Sequence, residues 1–261
     1  MRGILFDLDG VLYNSDQVIE GAAETVSWVQ RKTIPHLFVT NTTSRGRDAL
    51  AEKLHRFGIC TDRVQILTPC VAASEWMRAQ IHRLPVALFV PPKALGEFEG
   101  LETLAPDVEK GPSYVVIGDL GDAWDYRTLN RAFRLMLSSP ESELIALGMT
   151  LYWHAADGLR LDVAPFVAAL ECATGRKARI FAKPAEPFFL AAALHLGLPP
   201  GEIVMVGDGI ETDVAGAQNA GLKGLLVRTG KFRISDLHGP VKPDAVLDSI
   251  RDLPQWWDES R

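Results

Sequence analysis

What most constrains this chain is an alternation: short apolar runs of strand length recur between segments whose apolar residues return at helical spacing. GILFDL, IPHLFVT, PVALFV, SYVVIG, ELIALG, ARIFA, EIVMVGD and GLLVRT read as buried strands. Residues 20–32, 45–57, 70–82, 126–138, 163–174, 186–197 and 211–220 read as helices. Such alternation belongs to strands and crossover helices in a mainly parallel sheet, so the expected class is α/β.

Eight such runs exceed one small sheet. With 261 residues and 47% apolar content, the chain has room for one large domain or two modest ones. The Pro- and Gly-rich stretch HRLPVALFVPPKALGEFEG and the turn ATGRKARIFAKPAEP bracket an insert of about 83–179. The expected organisation is a discontinuous core, 1–82 with 180–261, interrupted by that insert.

Several function classes drop out. A net charge of −6 and the lack of clustered Lys and Arg exclude a nucleic-acid surface. No run approaches the roughly 18 apolar residues of a membrane span, and no basic leader precedes an apolar one, so a cytoplasmic protein without membrane partners is expected. Cys60, Cys70 and Cys172 lack C-x-x-C spacing and are expected to be buried, reduced thiols.

The chemistry-bearing residues fall into four stretches. In GILFDLDG, Asp7 and Asp9 end an apolar run two residues apart, so on an ideal strand they share a face and repel by about 1 kcal/mol or more at low dielectric. Mg²⁺, a hard cation that takes carboxylate and carbonyl oxygens, answers that repulsion, and Gly10 would let the backbone turn toward it. Alone, Asp9-Gly10 reads first as a solvated turn. In LFVTNTTSR, Thr40 and Asn41 follow a strand where a helix should begin near Ser44, a junction suited to an anion or to an ordinary helix cap. FAKPAEPFF puts Lys183 at a strand end. In EIVMVGDGIETDVAGAQNAG a strand ends in Gly207-Asp208-Gly209 and Asp213 follows on the first helical turn, as a ligand or as a helix-dipole acid. Each stretch ends a predicted strand, and ligands bind open parallel sheets at that edge.

Together the four stretches resemble the haloacid dehalogenase superfamily of phosphatases, with D-x-D first, then Thr, then Lys, then G-D-x-x-x-D. The resemblance implies a doubly wound, Rossmann-like core with an inserted α/β cap at 83–179. Within and after the insert, VVIGDLGDAWDYRTLNRAF, LDVAPFVAALECATGRKA and AGLKGLLVRTGKFRISD are similar to the subgroup acting on phospholysine, phosphohistidine and pyrophosphate.

The same resemblance implies the roles. Asp7 is the nucleophile, Asp9 the acid and base, and Asp7, Asp9 (through its carbonyl) and Asp208 hold Mg²⁺. Thr40 and the Asn41 backbone hold the phosphoryl group, Lys183 offsets its charge, and Asp213 orients Lys183 or metal-bound water. Gly209 departs from the Asp or Asn of many relatives, which shifts supporting work to Asp213 or Glu211. Trp153, His154, Arg160 and the acids of GDLGDAWD are cap candidates for contacts with a small phosphorylated substrate, and a homodimer through the cap is implied. Trp256 and Trp257 should dock the C-terminal tail onto the core.

Two other readings compete. A member of the fold whose catalysis has decayed would bind phosphate without turning it over. A receiver-type phosphoacceptor domain also combines acids, Thr and Lys-Pro, but ends soon after Lys-Pro, whereas the G-D-x-x-x-D stretch here comes later.

Overall fold

The computed structural model describes residues 1–43, 45–80, 85–155 and 157–260, without the side chains of His154 and Ala155. Two compact units emerge: Met1–Thr40, Arg47–Thr68 and Lys183–Arg261 form one, and Asn41–Gly46 with Pro69–Ala182 the other.

The first unit begins with β1 (Gly3–Asp7), buried at every position. A small hairpin follows, β2 (Tyr13–Asn14) against β3 (Gln17–Val18). Helix α1 (Ala22–Arg31) buries Val26 and Val29 and carries Arg31 in its last turn, where a cation suits the helix dipole. Then come β4 (His36–Val39), α2 (Arg47–Arg56) with Leu50 and Leu54 inward, and β5 (Ile66–Leu67).

In the second unit α3 (Pro69–Arg78) leads to β6 (Val86–Phe89) and β7 (Tyr114–Ile117). Helix α4 (Tyr126–Ser138) starts where Asp125 accepts the Thr128 N–H at 2.7 Å. β8 (Glu143–Ala146) and the hairpin β9 (Tyr152–Ala155) with β10 (Gly158–Leu161) come next. Helix α5 (Val163–Thr174) is capped by Asp162 and stopped by Gly175 in the left-handed region, before β11 (Arg179–Ile180). The four strands run parallel in the order β11-β8-β7-β6. Their core joins Phe89, Val115, Ile117, Leu135, Met136, Leu144 and Val167. Helix α3, ahead of the expected insert, clusters here because Trp76 packs edge-on to Tyr114 at 5.6 Å and against Phe181 at 5.4 Å. Arg78 also donates to the Glu97 and Glu99 carbonyls.

The chain then returns to the first unit through α6 (Glu186–Leu196) and β12 (Ile203–Gly207). The helix expected over 211–220 is instead a π-helical turn, Ile210–Ala215, followed by the short α7 (Gly216–Asn219), and both Asp213 and Val214 donate to the Gly209 carbonyl. β13 (Lys223–Val227), β14 (Ala245–Leu247) and α8 (Leu253–Glu259) complete it. The sheet order is β14-β13-β12-β1-β4-β5, all parallel. From β1 the chain builds outward through β4 and β5, then returns on the other flank with β12, β13 and β14. The reversal beside β1 is a topological switch point, and its carboxyl edge carries the site.

Trp257 is buried in this unit's core and Trp256 packs against it, so the tail docks as expected. All three cysteines are free, but only Cys70 is buried; Cys60 and Cys172 are exposed, correcting the expectation for those two. Among the described residues no helix is long and apolar enough to cross a membrane.

Candidate active site

β1 ends at Asp7, opposite Val39 of β4, and Asp7 is buried. The strand does not continue: Leu8 is buried, Gly10 sits at φ +84°, and the Gly10 N–H donates to the Tyr13 carbonyl at 2.7 Å. The two acids of D-x-D therefore do not share a strand face. Asp9 is exposed, with one oxygen accepting the Ser15 N–H at 3.3 Å. The repulsion that the site must solve lies elsewhere, among Asp7, Asp208 and Asp213.

Asp208 follows β12 directly and is 1% exposed. Its Oδ2 accepts the Lys231 N–H at 2.7 Å, while among the described residues its Oδ1 has no hydrogen-bond partner. The π-helical turn folds Asp213 back over its own start, so that its Oδ2 accepts the Gly209 N–H at 2.9 Å. One oxygen from each of Asp7, Asp208 and Asp213 lies within 4.8 Å of the others. Lys183 Nζ pairs with Asp7 Oδ1 at 2.8 Å and with Asp213 Oδ1 at 2.7 Å. Lys183 does not come from an edge of this sheet, as its sequence position suggested; the strand before it, β11, belongs to the second unit's sheet, and Lys183 stands in the segment leading to α6.

Three buried carboxylates around one ammonium leave a deficit of positive charge. Burial pushes the Asp7 carboxyl up to about 7, with Asp213 and Asp208 adding to the rise and Lys183 opposing it. Burial also raises Asp208, against the pull of the Lys231 N–H. For Lys183 burial favours the neutral amine, but Asp213 and Asp7 outweigh it and hold the ammonium charged. An all-oxygen donor set with an unpartnered buried carboxylate oxygen fits a hard cation.

Thr40 is buried one residue beyond β4, beside the Asp7–Val39 register, and its N–H donates to the Leu67 carbonyl at 3.2 Å. Asn41 clusters with the second unit, and Ser44 lies outside the described residues. At Gly209 a Cβ would run into the Thr212 hydroxyl, so a side chain there would require Thr212 to move. Asp213 is in contact with Lys183 and the Gly209 N–H, whereas Glu211 is exposed.

Among the specificity candidates, Arg160 on β10 donates to both oxygens of Asp157, at 3.0 and 2.6 Å, and reaches Asp122 of GDLGDAWD at 3.3 Å. Trp153 is 43% exposed, and the His154 side chain lies outside the described residues. Trp124 is a packing residue, stacked between Phe89 at 5.9 Å and Phe166 at 4.6 Å. Sequence reasoning missed the turn Thr229–Lys231, which contacts both Gly10 and Asp208. A Thr-Gly-Lys run at the end of the β13 strand was the available signal.

A family model described as haloacid dehalogenase-like hydrolase matches residues 4–102, and one described as HAD-hydrolase-like matches 180–253. The human phospholysine phosphohistidine inorganic pyrophosphate phosphatase is 36% identical over 257 residues, covering 97% of this chain and 92% of that protein. The bovine haloacid dehalogenase-like hydrolase domain-containing protein 2 is 38% identical, covering 90% and 87%. Among solved structures, the p-nitrophenyl phosphatase of Archaeoglobus fulgidus superposes with a TM-score of 0.86 at 27% identity, over 98% of both chains. With a match of this extent to curated phosphatases and a shared fold, the chain belongs to the haloacid dehalogenase-like hydrolases, as a phosphatase of that family.

Proposed function

We propose that this chain is a Mg²⁺-dependent phosphohydrolase that works through an aspartyl phosphate on Asp7, on small phosphate esters, on phosphoramidates such as phospholysine and phosphohistidine, or on pyrophosphate. The observation that carries this reading is the Asp208 oxygen left without a hydrogen-bond partner among the described residues, beside the buried Asp7–Lys183–Asp213 cluster. Asp7, Asp208 and the Asp9 carbonyl would hold Mg²⁺, which neutralises phosphoryl oxygens and so lets an anionic nucleophile approach an anionic substrate.

Asp7, held by Lys183 through one oxygen, attacks phosphorus; the new Asp7 O–P bond forms as the bond to the leaving group breaks. Asp9, on the solvent side of its turn, gives its proton to the departing atom. In the second displacement Asp9 takes a proton from water, the water oxygen bonds to phosphorus, and Asp7 is released as carboxylate. Asp213 fixes Lys183 in place for both steps. Thr40 and the Asn41 backbone hold the transferring group. The second unit serves as the specificity cap, with Arg160 and Trp153 its candidates for selecting the substrate, and as the face through which two copies associate.

The substrate range is drawn from the named relatives, and a screen tests it. Phosphate release from sugar phosphates, nucleotides, phosphoamino acids including phospholysine and phosphohistidine, and pyrophosphate should require Mg²⁺, with the highest kcat/KM on a P–N compound or pyrophosphate. No turnover of any of them with Mg²⁺ present, together with a thermal shift on adding beryllium fluoride, would favour the decayed binding protein instead.

Metal and proton should compete for the same cluster. Because the folded Asp7 carboxyl lies above its unfolded value, the folded state holds that proton longer, and stability without metal should fall as pH rises from 3.8 to about 7. Mg²⁺ replaces the proton, so the rise in Tm it gives should grow across the same window. A Mg²⁺ shift independent of pH would contradict this.

A further inference from the structure

The turn after β13 touches the acidic cluster without contributing a side chain to it. Thr229 Oγ1 donates to the Gly10 carbonyl at 2.5 Å, and two residues on the Lys231 N–H donates to Asp208 Oδ2 at 2.7 Å. Gly230 lies between them at φ +68°, where a Cβ would overlap Asp208 Oδ2 and stand 2.5 Å from the Gly10 Cα. Gly10, also left-handed, faces the same oxygen, and a Cβ there would overlap it too. The turn has a rigid base: the Arg228 N–H donates to the Leu247 carbonyl at the end of β14 at 3.0 Å, and Arg228 Nη1 pairs with Asp248 at 2.6 Å.

A carboxylate can rotate about its Cβ–Cγ bond and offer either oxygen. Here one oxygen is occupied by a backbone N–H and enclosed by two glycines that admit no side chain. The other is the buried atom that has no hydrogen-bond partner among the described residues. We propose that Thr229 and Gly230 are positioning residues for the cation site: their turn fixes the rotation of the Asp208 carboxylate so that Oδ1 is presented to the ion. Through the Thr229 hydroxyl it also locks that presentation to the Asp7-Leu8-Asp9-Gly10 turn. The two halves of the site, from β1 and from β12, are thereby set in register by a third segment that touches neither ion nor substrate. This inference rests on the reading of the cluster as a Mg²⁺ site.

The test compares parent, Thr229→Val, Thr229→Ser and Gly230→Ala proteins by Mg²⁺ titration calorimetry and by Mg²⁺-dependent release of 4-nitrophenol. Loss of a contact that orients a metal ligand costs about 10- to 100-fold in metal affinity. Thr229→Val should weaken Mg²⁺ binding by about tenfold and raise the half-saturating Mg²⁺ concentration to match, with kcat at saturating metal falling less. Thr229→Ser should restore the parent affinity, which a change in packing alone would not do. Gly230→Ala should lose more, because its Cβ displaces the carboxylate itself. A parent that neither binds nor needs Mg²⁺ overturns the reading of the cluster. A parent that does, with Thr229→Val binding Mg²⁺ as tightly, overturns the positioning role even should Gly230→Ala fail to fold.

Discussion

Replacing Asp7 by Asn will cut 4-nitrophenol release from 4-nitrophenyl phosphate by roughly a thousandfold or more, the scale on which loss of a covalent nucleophile is felt. An amide of the same shape cannot form the acyl phosphate, and each of the other two carboxylates of the cluster already has an oxygen engaged. Asp213 is held by Lys183 and the Gly209 N–H, and Asp208 by the Lys231 N–H. The same change should leave the fold intact. Burial opposes ionisation of Asp7, so a neutral side chain there relieves a cost, and at neutral pH without Mg²⁺ the Asn protein should melt no lower than the parent. Activity and stability thus move in different directions. An Asp7→Asn protein that turns over at the parent rate would rule out the aspartyl phosphate.

Lys183→Met should do the reverse, damaging both. The ammonium is 4% exposed and bridges two carboxylates that are themselves 11% and 1% exposed. Removing it leaves Asp7 and Asp213 facing each other in a medium that screens poorly, and breaking a buried pair of this kind costs about 3–5 kcal/mol. A urea midpoint measured at about pH 8 should fall accordingly. Part of the loss should return at about pH 5, where the buried Asp7 carboxyl, already held up to about 7, takes up a proton and no longer needs the missing cation. An unchanged midpoint at both pH values would mean that the bridge contributes nothing to stability.

What could be read from the sequence depended on whether a local signal existed. Helices α4 and α5 run over the residues that helical spacing assigned to them, and in the structure Asp125 and Asp162 cap them and Gly175 ends the second. The pairing of β9 with β10 was not: its strands expose both faces, so Tyr152, Trp153, Leu159 and Leu161 carry no buried-face alternation. Asp7, Lys183 and Asp208 were found as residue types at strand ends and Asp213 on the helical turn after one, and the structure brings all four together. Their geometry was less legible. An ideal strand put Asp9 beside Asp7, whereas the chain leaves the sheet at Leu8; a regular helix was expected where a π-helical turn brings Asp213 onto the Gly209 amide. The Thr229–Lys231 turn stayed hidden for a different reason. It acts through the Thr229 hydroxyl, an amide hydrogen and a missing Cβ, and of these only the hydroxyl shows in a string of side chains, as one Thr at a strand end.

The two sheets share no hydrogen-bonded strand among the described residues, and the chain leaves the first only after its edge strand β5 and re-enters before β12. Sequence drift can therefore be partitioned. With the second unit in its proposed role as specificity cap, residues 69–182 can accumulate changes that alter which molecules are accepted, while the ladder that sets Asp7 next to Asp208 lies outside that unit. A lineage built on this plan can change its diet without relearning its chemistry.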